Sequence, residues 1–148
     1  MNPGTELLIK FIVSYLLGSI SGGMLMGKFK HIDIRQMGSG NVGGTNAFRT
    51  MGAKFALAVL FIDLIKGFIA VQFVSQLNLN GLLLKSEINL HTTPIACGCG
   101  AVLGHVYPLY YKFNGGKGAG TMIGILLALF PTGLAICLFF WGVSLIFT

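Results

Sequence analysis

Apolar length is the constraint that decides what this chain can become. From Leu7 to Gly27, from Phe55 to Leu77, from Thr92 to Tyr111 and again from Ala119 onwards, the sequence stays apolar over lengths suited to a hydrocarbon core roughly 30 Å thick. The runs are continuous rather than alternating, which argues against the strands of a closed barrel. Of 148 residues, 54% are hydrophobic and 9% charged, whereas a soluble domain carries about 25% charged residues. An all-α, polytopic transmembrane helix bundle of four to five spans is therefore expected, formed by residues 1–148 as a single domain. The last run is interrupted at Pro131-Thr132-Gly133. The stretch ahead of that break gives only about 18 Å of helix, so a turn with a short fourth helix and a returning fifth is preferred over a kink.

Charge placement orients the bundle. Lys28, Lys30, Arg35, Arg49 and Lys54 against Asp33 leave four positive charges, and Lys112 with Lys117 bring two more, so these segments hold the whole net charge of +6. Alternate loops hold none, and the polar stretch from Asn78 to His91 is neutral. Basic loops stay in the cytoplasm, which places the N-terminus outside and makes this a multi-pass protein of the inner (plasma) membrane. The first apolar segment has no basic leader region and is too long for a signal core, so it is expected to stay as a helix. The chain stops inside apolar sequence at Phe147 and Thr148, which suggests truncation at the C-terminus. Cys97, Cys99 and Cys137 are odd in number and lack ligand spacing, so neither a disulfide framework nor a metal site is implied.

The two basic loops carry the chemistry. The first contains Gly38-Ser39-Gly40-Asn41-Val42-Gly43-Gly44-Thr45-Asn46-Ala47-Phe48-Arg49. Its glycines allow positive φ and bring backbone N–H groups close to a ligand, as in anion-binding nests. Ser39, Asn41, Thr45 and Asn46 add neutral donors, and Arg49 adds a planar fork suited to phosphate. A flexible linker would need Gly and Ser but neither two asparagines nor an arginine. The second loop reads Asn114-Gly115-Gly116-Lys117-Gly118 with a helix opening just after it, the ingredients of a phosphate cradle. Its spacing is not that of a nucleotide-binding loop, and no strand precedes it. Both loops fall on one membrane face, so together they form one site for anionic substrates. Gly38, Gly40, Gly43, Thr45, Asn46, His105, Gly115, Gly116 and Gly118 are the expected substrate-binding set.

Two further features are open on residue chemistry. His105, at the end of the third span, is either a hydrogen-bonded structural residue or a base. Asp63 and Lys66 share one face of the second span at i and i+3 and must face the bundle interior, either pairing with each other or positioning substrate.

SYLLGSISGG, GSGNVGGTNAFRTMG, DLIKG and GHVYPLYYKFNGGKGAGT together resemble the bacterial integral-membrane glycerol-3-phosphate acyltransferases that use acyl phosphate, over nearly the whole chain. The resemblance implies transfer of an acyl chain from acyl phosphate to the sn-1 hydroxyl of glycerol 3-phosphate, giving lysophosphatidic acid and phosphate, at a site open to the cytoplasm. By position it implies catalytic roles for Ser39, Asn41, Arg49 and Lys117, and makes Gly115, Gly116 and Gly118 the phosphate-binding loop. Gly44 stands where the family usually has alanine. Family members continue into a third motif with His and Asn, preceded by a Ser, that this sequence does not contain. Expected partners are the two substrates and membrane lipid, with no cofactor and no nucleic acid, and the chain is expected to act as a monomer. A transporter for a phosphorylated solute is the rival reading; internal inverted repeats would favour it, and the sequence has none.

Overall fold

The computed structural model describes residues 2–79 and 92–147, and everything described is helix, 3-10 turn or loop. The expected outer loop from Asn78 to His91 lies, beyond Leu79, outside the described residues. Helix α1 spans Pro3–Gly18, opened by the Asn2 side chain accepting from the Gly4 N–H at 2.9 Å with proline in the first turn. Helix α2 spans Gly22–Phe29, capped by Ser21 Oγ accepting from the Met24 N–H. The axis bends by 42° between them. The single first span expected over Leu7 to Gly27 is thus a broken one. Ser21 is a good N-cap, and the backbone groups freed at the break find partners on another helix.

That helix is α4, Ala53–Gln72, which continues through a 3-10 turn to Gln76 and agrees with the expected second span. The 24 residues from Ala53 to Gln76 have a mean hydropathy of 2.1 and reach about 36 Å, enough to cross a bilayer. At the α1–α2 break, Lys66 Nζ donates to the carbonyls of Gly18 at 2.8 Å and Ile20 at 2.7 Å. Asp63 Oδ1 accepts from the Gly22 N–H at 3.0 Å and pairs with Lys66 Nζ at 3.2 Å. The ammonium meets the carbonyl end of one helix and the carboxylate the amide end of the next, each favoured by the helix dipole. Asp63 and Lys66 do face the interior, as the cost of bare charge in lipid requires.

The first basic loop is less loop than expected. A 3-10 turn at Ile34–Gln36 and helix α3, Gly44–Met51, occupy much of it, and Gly52 at φ 80° ends α3 and opens α4. Thr45, Asn46 and Arg49 are therefore helical. Only Gly38 and Gly40 in the motif use positive φ (56° and 74°), while Gly43 caps α3 from extended backbone. Ile34, Val42, Ala47, Phe55, Ala56 and Val59 form a buried cluster that fastens this region onto α4.

Helix α5 spans Thr92–Val106, shorter than the expected run to Tyr111, because Pro108 interrupts it and a 3-10 turn takes Leu109–Tyr111. It crosses α1 closely: Gly18 lies on the Ala101 backbone, Gly100 on the Phe11 carbonyl and Gly104 on the Tyr15 carbonyl, leaving no room for a Cβ. Helix α6, Ala119–Leu129, crosses α4 the same way, through Gly67 on Thr121 and Gly124 on Leu64. Helix α7, Pro131–Ile146, is divided from α6 at Phe130 and starts on Pro131. Among the side chains described in α7, Leu134 is the buried apolar one, while Phe139, Phe140 and Trp141 are exposed.

Candidate functional site

Between the two glycine-bearing segments lies an open cavity of about 670 Å³. Arg35, Gln36 and Gly40 form one wall; Val106, Phe113, Asn114, Gly115 and Gly116 form the other. The expected meeting of the two loops is therefore a feature of the fold, and it brings together Gly40, Gly115 and Gly116 from the expected set.

The first wall is held from below by one side chain. Asn46 is buried in α3; its Oδ1 accepts from the Ser39 N–H at 2.9 Å, and its Nδ2 donates to the carbonyls of Met37 at 3.0 Å and Asn41 at 2.9 Å. Asn41 Oδ1 in turn accepts from the Gly43 N–H at 3.3 Å. These asparagines shape the backbone of residues 37–43, so the side-chain amide of Asn46 is engaged within its own loop. Gly38 packs against that amide in a conformation suited to glycine. Ser39, Thr45, Arg49 and Lys117 are exposed, and Arg49 and Lys117 have no ion-pair partner among the described residues. Arg49, Lys117, Ser39, Asn41 and Thr45 are not on the cavity wall itself, although Ser39, Asn41 and Lys117 each adjoin a wall residue.

Arg35 was not among the expected site residues, yet it is the cation on the wall. Its Nε donates to Asp33 Oδ1 at 2.9 Å and its Nη2 to Asp33 Oδ2 at 2.7 Å, a bidentate clasp. Hydrogen bonding from Arg35 holds the Asp33 carboxyl below its ordinary range and raises the guanidinium in turn. The signal was the Asp33-x-Arg35 spacing, which lets one carboxylate cap the 3-10 turn and receive the fork.

The second wall rests on His105. Its carbonyl accepts from the Gly116 N–H at 3.1 Å, Gly115 packs on the same carbonyl, and Gly116 lies directly against Nε2. The glycines here serve close approach: neither Gly115 nor Gly116 has positive φ, whereas Gly118, at φ 81°, turns the chain into α6. Lys112 and Phe113 are both left-handed (φ 55° and 60°), conformations that large side chains adopt at a cost. Beneath the loop, His105 Nδ1 faces Asp63 Oδ1 across 3.5 Å, and both side chains are almost fully buried.

The glycerol-3-phosphate acyltransferase family model matches residues 8–148. The chain belongs to the glycerol-3-phosphate acyltransferase family. Glycerol-3-phosphate acyltransferase 3 of Bacillus anthracis is 45% identical over 127 residues, covering 85% of this chain and 59% of that protein. The glycerol-3-phosphate acyltransferase of Chlorobium luteolum is 43% identical over 132 residues, covering 88% of this chain and 56% of the relative. Among solved structures, PlsY (YgiH), described as an integral membrane glycerol 3-phosphate acyltransferase, superposes in its glycerol 3-phosphate form with a TM-score of 0.77 at 35% identity. That match covers 94% of this chain and 66% of the crystallised one. The chain thus spans about three fifths of the length of the curated relatives it matches.

Proposed function

We propose that this chain carries the phosphate-gripping part of an active site that transfers an acyl group from acyl phosphate to the sn-1 hydroxyl of glycerol 3-phosphate. The products are lysophosphatidic acid and inorganic phosphate. The observation that carries the reading is the single cavity walled by both glycine-bearing segments, in a chain of this family. Acyl phosphate is a mixed anhydride, already activated, so the protein's task is to orient the hydroxyl on the acyl carbonyl and to stabilise negative charge. Arg49 and Lys117 supply cations that no carboxylate of the described residues neutralises, Ser39 and Asn41 supply neutral donors, and Gly115 and Gly118 supply a backbone cradle at the N-terminus of α6, tied down between them by the Gly116 N–H on the His105 carbonyl. Among the described residues no base is hydrogen-bonded to Ser39 Oγ, which supports direct attack by the substrate hydroxyl over an acyl-serine intermediate.

The substrate's own phosphate is the proton acceptor in this reading. In this reading the site faces the cytoplasm in a multi-pass protein with its N-terminus outside, which the excess of Lys and Arg in both loops supports. One chain contributes both walls, so a monomer suffices for them.

The test uses a chain of full family length carrying these residues, supplied with acyl phosphate and glycerol 3-phosphate. Lysophosphatidic acid and phosphate should appear in equal amounts. Arg49→Ala and Lys117→Ala should each lower kcat/KM for glycerol 3-phosphate by about 10- to 100-fold, the worth of one charge-assisted hydrogen bond. Unchanged kinetics in both variants would remove the anion site.

A further inference from the structure

A buried carboxylate in a membrane helix needs one neutralising partner, and Asp63 has Lys66. It also has the Gly22 N–H, which fixes one of its oxygens at the α1–α2 break. Neither role calls for a histidine. Yet His105 Nδ1 is turned onto the same oxygen, has no hydrogen-bond partner of its own, and lies in a side chain that is 2% exposed. The other ring nitrogen lies against Gly116, whose hydrogen is all that fits there. The first turn of α6 closes the arrangement, since Gly120 packs on the Asp63 side chain. One carboxylate therefore underlies both the glycine loop and the helix that loop opens.

We propose that Asp63 is a positioning residue for acyl transfer, acting through the His105 imidazole on the phosphate-binding loop from Gly115 to Gly118. This inference rests on the functional reading above. Asp63 sets which edge of the imidazole meets Gly116, and the imidazole sets how far the loop descends towards α4. The loop amides are thereby held at fixed height beside the cavity, where the phosphate of the substrate is bound. Lys66 neutralises Asp63 and ties it to the break between α1 and α2, where its Nζ also donates to the carbonyls of Gly18 and Ile20, and it makes no hydrogen bond or ion pair to the loop among the described residues. Backbone donors aimed at an anion work only when held in place, so a small loss of height should reach substrate binding before it reaches overall stability.

The experiment compares Asp63→Asn, His105→Gln and the double variant in a chain of full family length, by amide hydrogen exchange and steady-state kinetics. Asp63→Asn should speed exchange across residues 114–119 at least tenfold while leaving residues 38–42 at the wild-type rate. KM for glycerol 3-phosphate should rise at least fivefold, with kcat falling less. The double variant should be no worse than the worse single one, because both act along one route. Unchanged exchange over residues 114–119, unchanged KM with only a lowered Tm, or losses that multiply in the double variant would each overturn the proposal. If Asp63→Asn fails to fold because Lys66 is stranded, Asp63→Asn/Lys66→Gln removes that charge and carries the same test. A wild-type chain that turns nothing over would defeat the functional reading, while the exchange rates would still decide the positioning role.

Discussion

Replacing Asn46 by alanine should loosen the first glycine segment without unfolding the bundle. The side chain makes three hydrogen bonds of 2.9 to 3.0 Å, to the Ser39 N–H and to the carbonyls of Met37 and Asn41. At about 1 kcal/mol net for each, the segment loses about 3 kcal/mol of local stability. Every 1.4 kcal/mol is a factor of ten, so exchange of the Ser39 amide should accelerate by about 100-fold. Hydrogen exchange followed by mass spectrometry reads this directly, with the α4 amides as an internal standard. Asn46→Asp should be worse than alanine, since a carboxylate would confront carbonyl oxygens that now receive donors. A substrate-contacting Asn46 would behave otherwise: KM for glycerol 3-phosphate would rise while Ser39 kept its protection. That result would refute the reasoning from these distances.

Three other outcomes follow from the geometry. Gly124→Ala drives a Cβ onto the Leu64 carbonyl and should cost about 1–3 kcal/mol, seen as a lower Tm in detergent. Gly142→Ala, in α7 with open space around it, should be neutral or gain about 0.5–1 kcal/mol, and a drop in Tm there would contradict the packing described. The Asp33–Arg35 clasp involves a carboxyl held below its ordinary value of 3.8, so it contributes above that value and is lost as the pH falls through the lowered one. The Asp33 carboxyl carbon resonance should therefore titrate with a midpoint below 3.8. A midpoint at or above 3.8 would show that the clasp is not formed.

The helices were legible because lipid leaves so little choice: α4 could be read almost to its ends from hydropathy, and the inward turn of Asp63 and Lys66 from the cost of bare charge in hydrocarbon. The break at Ser19 to Ser21 was not, since apolar sequence runs through it. Its stabilising partners lie more than 40 positions away, on α4. Charge pointed to one membrane face for the two loops, and the cavity they share is seen in the fold. What side-chain chemistry concealed was direction. An asparagine amide can turn to a ligand or to its own backbone, and Asn46 turns to its backbone. Arg35 was counted as loop charge, yet it lines the cavity. Lys10, a charge inside the first apolar run, is buried 2.9 Å from Glu6 and donates to the Ser75 carbonyl.

That last pair bears on how the protein is made. Glu6, Lys10 and Ser14 recur at every fourth position of α1, are all buried, and so point its most polar stripe away from lipid. Each charge at mid-bilayer costs a lone helix about 2.5–3.5 kcal/mol. A helix carrying that stripe is thus ill suited to enter the membrane unaccompanied. Its insertion becomes favourable once α4 and α5, synthesised later, arrive to cover that stripe, making biogenesis a concerted event among helices rather than one following their order in the gene.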